Sequence, residues 1–280
     1  MLDTDRLDDL GVLITGGADG IGAALAAALI ARGARVFLTD IAADKLAATA
    51  DRLSASSAAC DVSDGTAVAA IVEQAWDEIG PLDLLCANAG VFKTGSILNA
   101  SQADIDWQFG VNVWGIVNAC KPFVARLREA ARPGAILMTG SENSLSNPSM
   151  LRGMPNHIYN MTKHCVLSLG DGLRAELEAD SIAVSVLCPG PVTTGLGENS
   201  GTVRPERFGG AATFGVEPGG SISEDDVRRL QESYISADRV AEIALEGIRR
   251  GLFVIPTHDY VLEDATLRFR DIERGFEVLR

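Results

Sequence analysis

The chain has 280 residues, 47% of them hydrophobic, and its 38 acidic against 24 Lys or Arg side chains give a formal net charge of −14. A chain of this length can bury a sizeable core without disulfides or metals. Nucleic acid is disfavoured as a partner, because a strongly acidic protein and a polyphosphate repel each other and the sequence has no basic run.

The five cysteines are odd in number and include no C-x-x-C pair, which is typical of buried thiols in a reducing compartment. The amino terminus is acidic and lacks the pattern of a secretory signal. The longest strongly apolar run, 23–31, has about half the length that a membrane span needs. The sequence therefore predicts a cytoplasmic protein without a membrane partner.

Short β-branched runs alternate with longer Ala- and Leu-rich segments along the chain. The predicted strands are 11–15, 35–39, 57–60, 82–87, 135–139, 182–187 and 253–255. The predicted helices are 20–32, 42–53, 64–79, 103–130, 158–179 and 237–250. This alternation predicts an α/β fold, a Rossmann-like doubly wound parallel sheet of about seven strands with helices on both faces. Because no linker or repeat interrupts it, residues 1–280 are expected to form a single domain.

One stretch that departs from this alternation is rich in glycine. Residues 195–220 contain too many glycines for a regular element and are too long for a plain connector. Two interpretations are open, a disordered surface loop or part of a substrate lid over 195–235. In the lid, Leu196, Phe208 and Phe214 would supply apolar contacts.

A second departure is the segment after the last predicted strand. Residues 257–280 are expected to form a helical extension, because apolar residues recur there at helical spacing. These residues are Val261, Leu262, Ala265, Phe269, Ile272 and Phe276. The extension would pack on the domain or on a neighbouring subunit.

A glycine-rich turn follows the first predicted strand and precedes an Ala-rich helix. Its glycines, Gly16, Gly20 and Gly22, let the backbone approach a pyrophosphate at the amino end of that helix, where free N–H groups favour an anion. Asp40 ends the next strand, where a carboxylate can accept hydrogen bonds from ribose hydroxyls. The 2′-phosphate of NADP would meet like charge there, so the sequence predicts NAD as the cofactor.

Further motifs lie at the carboxyl ends of predicted strands or on the helices that follow. They are Asp61-Val62, Asn88-Ala89-Gly90, Asn112, Ser141, Tyr159-Asn-Met-Thr-Lys163 and Pro189-Gly-Pro-Val-Thr-Thr194. Together with the spacing Gly16-x-x-x-Gly20-x-Gly22, this order resembles the short-chain dehydrogenase/reductase family, over essentially the whole chain to about residue 256.

Tyr159 and Lys163 are four residues apart on one predicted helix, so their side chains share a face. A tyrosine has a pKa near 10, and about 4 kcal/mol of preferential phenolate stabilisation brings it to neutrality. A neighbouring ammonium and an oxidised nicotinamide ring have the right sign of charge for this. The resemblance implies that Tyr159 is the general acid/base, and that Lys163 lowers its pKa and binds the nicotinamide ribose. It also implies that Ser141 hydrogen-bonds the substrate oxygen and that Asn112 holds a water linking Lys163 to solvent.

The resemblance also implies which residues contact the cofactor. They are Gly16, Asp19, Gly20, Ile21, Gly22, Asp40, Asp61, Val62, Asn88, Ala89, Gly90, Tyr159, Lys163, Pro189, Gly190, Val192 and Thr194. In this assignment the glycine loop binds the pyrophosphate, Asp61 and Val62 lie at the adenine, and Asn88 and Gly90 lie beside the ribose. Val192 and Thr194 would meet the carboxamide.

One interval departs from the family pattern. Ser141 and Tyr159 are 18 residues apart, several more than is usual, which indicates an inserted turn over the active site. Ser141 is favoured as the catalytic serine because it directly follows a strand, and Ser144 is the alternative. The insertion leaves the substrate open.

Other candidate ligand residues are sparse. The three histidines show no metal-ligand spacing with cysteines or carboxylates, so no metal is expected. Arg152, Arg204 and Arg207 would either bind an anionic substrate or form solvated ion pairs.

The leading functional hypothesis is an NAD-dependent oxidoreductase that transfers hydride between a secondary alcohol or ketone and the nicotinamide. The alternatives are enoyl reduction, disfavoured by the Tyr159 to Lys163 interval, an NAD-binding redox sensor without turnover, and a dehydrogenase of benzylic alcohols of aryl ethers. The resemblance further implies a homo-oligomer, a tetramer or dimer, built on helices 103–130 and 158–179.

Overall fold

The structure is a computed structural model that describes residues 9–212 and 222–279. The strands within these ranges are β1 (Gly11–Thr15), β2 (Arg35–Asp40), β3 (Ser56–Ala59), β4 (Leu84–Ala87), β5 (Gly134–Thr139), β6 (Ile182–Cys188), β7 (Val192–Thr193), β8 (Ile235–Ser236) and β9 (Val254–Pro256). The α-helices are α1 (Gly20–Ile30), α2 (Ala43–Leu53), α3 (Gly65–Ile79), α4 (Gln102–Phe109), α5 (Gly115–Glu129), α6 (His157–Glu176), α7 (Leu196–Thr202), α8 (Glu224–Glu232), α9 (Ala237–Arg249) and α10 (Val261–Gly275).

Seven strands of the described chain form one parallel sheet in the order β3-β2-β1-β4-β5-β6-β9. The strand order reverses between β1 and β4, and a crevice opens at the carboxyl ends of strands at such a point. The predicted Rossmann-like α/β fold is confirmed. A separate pair, β7 and β8, was not predicted and runs parallel beside the carboxyl end of β6.

Both faces of the sheet are buried because its strands are almost continuously apolar. On β1, Leu13 packs in a cluster with residues of α3, α5 and α6. Its neighbours Val12 and Ile14 point to the opposite face, where they pack in a cluster with residues of α1 and α9. The alternation of side chains along each strand thus divides the core into two layers.

The predicted helix 103–130 is continuous but not uniformly α-helical. A π-helical segment, Gly110–Trp114, separates α4 from α5. A π turn accommodates one more residue than an α turn, and such turns occur frequently at functional sites. The apolar periodicity does not reveal this segment, because the pattern continues on both sides of it.

The expectation that residues 195–220 are too glycine-rich for a regular element is wrong for their first part. Residues 196–202 form the helix α7, whose Ser200 hydroxyl donates to the Leu196 carbonyl at 2.5 Å. A further helix, α8, lies in the predicted lid. The predicted lid residue Phe214 and the glycines at 215, 219 and 220 lie outside the described residues, as does the acidic segment 1–8.

The predicted carboxy-terminal helix is present as α10. Its first turn packs on the protein, since Val261 is 2% and Asp264 is 6% exposed. Most of its apolar stripe faces outward, with exposed side chains at Leu262, Phe269, Ile272 and Phe276.

Candidate active site

A cavity of about 710 Å³ lies at the carboxyl ends of the strands and extends beneath α7. Sixteen of the seventeen predicted cofactor residues line this cavity, and the exception is Gly22. The predicted residues on its walls are Gly16, Asp19, Gly20, Ile21, Asp40, Asp61, Val62, Asn88, Ala89, Gly90, Ser141, Tyr159, Lys163, Pro189, Gly190, Val192 and Thr194. Gly22 and Asn112 lie behind the walls.

The glycine turn brings the backbone against the amino end of α1. Gly16 and Gly20 have φ angles of +68° and +55°, in the left-handed region that favours glycine. A Cβ on Gly22 would lie 2.0 Å from the Gly16 carbonyl oxygen, so no side chain fits there. Asp19 caps the helix by accepting from the Gly20 N–H at 2.7 Å. The first N–H groups of a helix lack intrahelical acceptors, so this turn suits a diphosphate.

Asp40 lies at the carboxyl end of β2 on the cavity wall. Its two oxygens accept from the backbone N–H groups of Ala18 at 3.1 Å and Ala42 at 2.9 Å. These bonds fix the carboxylate between the glycine turn and the start of α2. A carboxylate oxygen can accept a second hydrogen bond, so both retain capacity for ribose hydroxyls.

Asn88 ties three strand ends together. Its amide Nδ2 donates to the carbonyls of Thr15 and Gly16, each at 3.2 Å, and its Oδ1 accepts from the Thr139 hydroxyl at 3.0 Å. The Thr15 hydroxyl in turn accepts from the backbone N–H groups of Asn88 and Ala89. Thr15 and Thr139 were not predicted, although each is the last residue of a strand beside a predicted motif.

Asp61, the predicted adenine residue, is engaged by the predicted lid. Its Oδ2 accepts from Arg207 at 2.5 Å, and its Oδ1 accepts from the Ser63 N–H and hydroxyl at 2.9 and 2.6 Å. The Arg207 side chain is 50% exposed. Of the two roles left open for Arg207, the structure shows an ion pair.

The segment 195–208 contacts the glycine turn, α2 and α4 through polar side chains. Asn199 of α7 donates to Asp19 at 3.2 Å and accepts from Lys45 at 2.6 Å. Arg204 is 9% exposed and pairs with Asp104 of α4 at 2.8 Å. These contacts hold α7 across the cleft between the glycine turn and α2. The predicted lid residue Leu196 lines the cavity, whereas Phe208 packs behind it against Gly110.

Tyr159 occupies the first turn of α6, with its ring edge-on to Phe92 at 4.9 Å between centroids. Burial raises the pKa of Tyr159 to about 12, the Ser141 side chain acts to lower it, and the charge of Glu142 raises it further. In the chain alone, desolvation of the phenolate outweighs the lowering by Ser141.

Lys163 lies one turn after Tyr159 and is 3% exposed. Its Nζ is 5.5 Å from the centre of the Tyr159 ring and donates to the Thr139 carbonyl at 2.8 Å. Burial lowers the pKa of Lys163 to about 8, so the ammonium still predominates at neutral pH. The lysine therefore places a buried positive charge beside the phenol.

Of the two candidate serines, the structure places Ser141 on the cavity wall and Ser144 behind it. Ser141 begins a short 3₁₀ turn, and its hydroxyl accepts from the Asn143 N–H at 3.3 Å. The Ser144 hydroxyl accepts from the Ser141 backbone N–H at 3.1 Å. Ser144 thus shapes the turn that presents Ser141.

Asn112 lies in the π-helical segment and is fully buried. Its Oδ1 accepts from the Val91 N–H at 2.8 Å, and its Nδ2 donates to the Val91 carbonyl at 2.9 Å and to Thr162 at 3.0 Å. Both amide donors are therefore used within the protein, and one lone pair of Oδ1 remains for a water.

The wall opposite the glycine turn was only partly predicted. The inserted turn contributes Glu142, Asn143, Leu151, Met154 and Asn156, which line the cavity. The carboxy-terminal extension supports this turn, since Tyr260 donates to Glu142 and the Ser149 N–H donates to Asp264 at 3.0 Å. The only sequence signal for Glu142 was its position beside Ser141, and nothing in the sequence pointed to Tyr260.

Within residues 9–212 and 222–279, no group of three or more His, Cys, Asp or Glu side chains is arranged to hold a metal ion. Over the same ranges, the helices are too short or too polar to cross a bilayer. Arg152, offered as a possible anion ligand, is exposed and does not line the cavity.

The comparisons with known proteins agree with this geometry. The family model for short chain dehydrogenase matches residues 11–204. A crystal structure of a short chain dehydrogenase/reductase from Burkholderia phymatum in complex with NAD superimposes with a TM-score of 0.83, at 32% identity over 98% of this chain and 97% of that one.

Two curated relatives are named as dehydrogenases. The 1-deoxy-11-beta-hydroxypentalenate dehydrogenase of Streptomyces avermitilis is 35% identical, over 73% of this chain and 76% of its own. The secoisolariciresinol dehydrogenase of Forsythia intermedia is 30% identical, over 85% of this chain and 86% of its own. With the fold and the arrangement of the cavity, these matches establish that the chain belongs to the short-chain dehydrogenase/reductase family of oxidoreductases.

Proposed function

We propose that this chain is an NAD-dependent dehydrogenase or ketoreductase that interconverts a secondary alcohol and its ketone, with Tyr159 as the general acid/base. The observation that carries the proposal is one continuous cavity. The glycine turn and Asp40 lie at one end, and the Tyr159 phenol, the Ser141 hydroxyl and the buried Lys163 lie at the other. The names of the two dehydrogenase relatives support the reaction class.

In this proposal Ser141 and Tyr159 hold the substrate oxygen between their hydroxyl groups. During oxidation the Tyr159 phenolate takes the hydroxyl proton as the carbinol carbon loses a hydride, and during reduction the phenol returns the proton to the carbonyl oxygen. Bound NAD would accept the hydride and add a positive ring beside the phenol. Lys163 supplies the protein's own positive charge, held in place by the Thr139 carbonyl.

Because Tyr159 is buried, Lys163 and the cofactor must together lower the pKa of its phenol. The pKa of about 12 in the chain alone lies well above neutrality, and each unit of lowering needs about 1.4 kcal/mol of preferential phenolate stabilisation. A positive charge placed near the phenol in a water-poor site is the effective way to supply it. We therefore infer that the phenolate forms in the cofactor complex.

The choice of NAD rests on the surroundings of Asp40. Its carboxylate is fixed by two backbone N–H groups and lines the cavity. A 2′-phosphate beside it would meet like charge. The nearest cation on α2, Lys45, is turned toward Asn199.

The cytoplasmic location stays a prediction, as does the single domain over 1–280. We also propose a homo-oligomer, a dimer or tetramer. Support comes from exposed apolar side chains on helices, since Trp114 is 57% and Met161 is 42% exposed in the two helical regions expected to associate. The stripe on α10, including Phe269 and Phe276, offers a further apolar surface.

The test is an NADH absorbance assay over a panel of secondary alcohols and ketones. Tyr159→Phe should lower kcat by at least about 100-fold, because it removes the proton donor and acceptor, and should leave NADH affinity within about threefold. His157→Gln, an exposed change on the same helix, is the matched control. Full turnover by Tyr159→Phe contradicts the mechanism, and NADH binding without turnover of any compound by the unmodified protein indicates a redox sensor.

A further inference from the structure

A second acidic group lies beside the proposed catalytic residues. Glu142 directly follows Ser141, is only 3% exposed and lines the cavity. Its charge reaches the Tyr159 phenol strongly enough to raise the pKa of that group. The mechanism derived above gives this carboxyl no task, although a carboxyl is costly to bury.

The position of the Glu142 carboxyl is fixed from two sides. Its backbone N–H donates to the Pro189 carbonyl at 2.7 Å, which joins the loop after β5 to the loop after β6. Its Oε2 accepts from the Tyr260 hydroxyl at 2.6 Å. That hydroxyl lies close to Gly190, where an added Cβ would be 2.7 Å away. The carboxyl therefore lies between the loop of Ser141 and the loop expected to meet the nicotinamide.

Only one of the two carboxyl oxygens is engaged by the described residues. Oε2 has the Tyr260 hydroxyl, whereas no donor within residues 9–212 and 222–279 reaches Oε1. A carboxylate oxygen can accept hydrogen bonds, so Oε1 of this cavity-lining residue is available to a donor on a ligand. The charge of Asp264 also acts on Glu142, but it is negative, so it raises the pKa of Glu142 and does not neutralise the carboxylate.

Several apolar side chains line this end of the cavity. Phe92, Trp107, Leu151 and Met154 line it, and these side chains suit a hydrocarbon body. We propose that Glu142 is a substrate-binding residue whose Oε1 accepts a hydrogen bond from a second hydroxyl of the substrate, so that the enzyme selects apolar diols over monofunctional alcohols. This inference rests on the proposed function, because it assigns the substrate class of the same site.

Tyr260 is the positioning residue for this contact. It comes from the carboxy-terminal extension and is 118 residues away from Glu142 in sequence. Without its hydroxyl, the carboxyl would lose the hydrogen bond that orients it and could turn away from the substrate. The extension would then contribute to substrate selection without touching the reacting atoms.

The test compares three probes within each variant. They are phenylethane-1,2-diol, its 2-O-methyl ether and 1-phenylethanol, with the corresponding cyclohexane compounds as a second set. The unmodified enzyme should oxidise the diols with kcat/KM about 10- to 100-fold above both counterparts, since hydrogen bonds to a buried charged acceptor have this effect. The ether keeps the oxygen but cannot donate, so it separates hydrogen bonding from size.

Glu142→Leu should bring the ratio of diol to 1-phenylethanol close to one, mainly through the KM of the diol. Tyr260→Phe should lower the ratio by about threefold to tenfold, and it tests the proposal if the leucine variant does not fold. Glu263→Gln, which removes an exposed carboxyl on α10, should leave the ratio unchanged.

Two results would overturn the inference: equal kcat/KM for the three probes in the unmodified enzyme, or a diol preference that is as large in Glu142→Leu or in Tyr260→Phe as in the unmodified enzyme. Either result leaves the proposed function standing if turnover still depends on Tyr159. Turnover that is independent of Tyr159 would instead remove the proposed function.

Discussion

The two ends of the cavity are built in different ways. At the end proposed to bind the cofactor, called here the cofactor end, the wall is built from short local units, each a strand, a turn and the start of a helix, as in the segment from Gly11 to Gly22. At the substrate end, the wall depends on pairs distant in sequence, such as Glu142 with Tyr260 and Ser149 with Asp264. The cofactor end uses mainly backbone geometry, and the substrate end uses mainly side-chain contacts.

The two ends should therefore differ in how well they tolerate substitutions. A backbone turn that needs glycine fails when any side chain is added, because the clash cannot relax. A wall made of side-chain pairs can lose one contact and remain folded, with a change in selectivity. Substitutions in the glycine turn should therefore have the largest effects, and exposed side-chain contacts the smallest.

Gly22→Ala should break the cofactor end. The new Cβ would lie 2.0 Å from the Gly16 carbonyl oxygen, so the turn must move. We expect the free energy of unfolding to fall by about 3 kcal/mol and NADH binding to be lost. Urea unfolding and NADH fluorescence measure both. Gly172→Ala on α6, where a Cβ meets nothing within 4 Å, should stabilise the protein slightly. Equal effects at the two glycines would show that the turn is not the constraint.

Asp40→Asn should narrow the preference for NAD over NADP by at least about 10-fold in kcat/KM. The substitution removes the charge that would repel the 2′-phosphate and keeps one side-chain oxygen, which can accept from the backbone N–H of either Ala18 or Ala42. Asp51→Asn, an exposed change on α2, is the matched control. An unaltered cofactor ratio would mean that the ribose does not lie beside Asp40.

Glu142→Gln should stabilise the protein at high pH. Burial raises the pKa of Glu142 to about 7 from 4.5, so the folded state binds more protons than the unfolded state between these values. Stability is therefore lost as pH rises from about 4.5 through 7, by roughly 3 kcal/mol, and the glutamine avoids this loss. The advantage of the variant in urea unfolding should be larger at pH 8 than at pH 5. The reverse order would show that the carboxyl is not held in a desolvated position.

Arg207→Ala should have the smallest effect. The ion pair with Asp61 is half exposed on the arginine side, so its loss should lower the free energy of unfolding by less than about 1 kcal/mol. The difference from the unmodified protein should shrink at high salt. A decrease in the free energy of unfolding that is several times larger and independent of salt would show that the fold requires this ion pair.

The sequence signals for the proposed cofactor end are local. A strand, a glycine turn and a helix follow one another within about 20 residues, and Asp40 ends the next strand. The same reasoning fails for α7, because its glycines argue against a helix while contacts from Asn199 to Asp19 and Lys45 hold it in place. Tertiary contacts can outweigh a weak helix propensity over a single short segment.

The sequence also did not predict the π-helical segment or the contact between Glu142 and Tyr260. The first changes only the local winding of a helix whose apolar pattern continues through it. The second joins residues that are 118 positions apart, and no sequence motif at either residue indicates that the two are in contact. Such pairings depend on how the insertion and the extension fold against each other, which periodicity and spacing do not encode.

Gly190 shows how the carboxy-terminal extension restricts which side chains fit elsewhere in the chain. The three atoms nearest to a Cβ at this position all belong to the extension, at His258 and Tyr260. An alanine at 190 is therefore opposed by side chains from outside the sheet, and smaller side chains at 258 and 260 would remove these close contacts. Gly190 is not among the glycines with a positive φ, so its constraint comes from the extension packed against it and not from its own backbone angle.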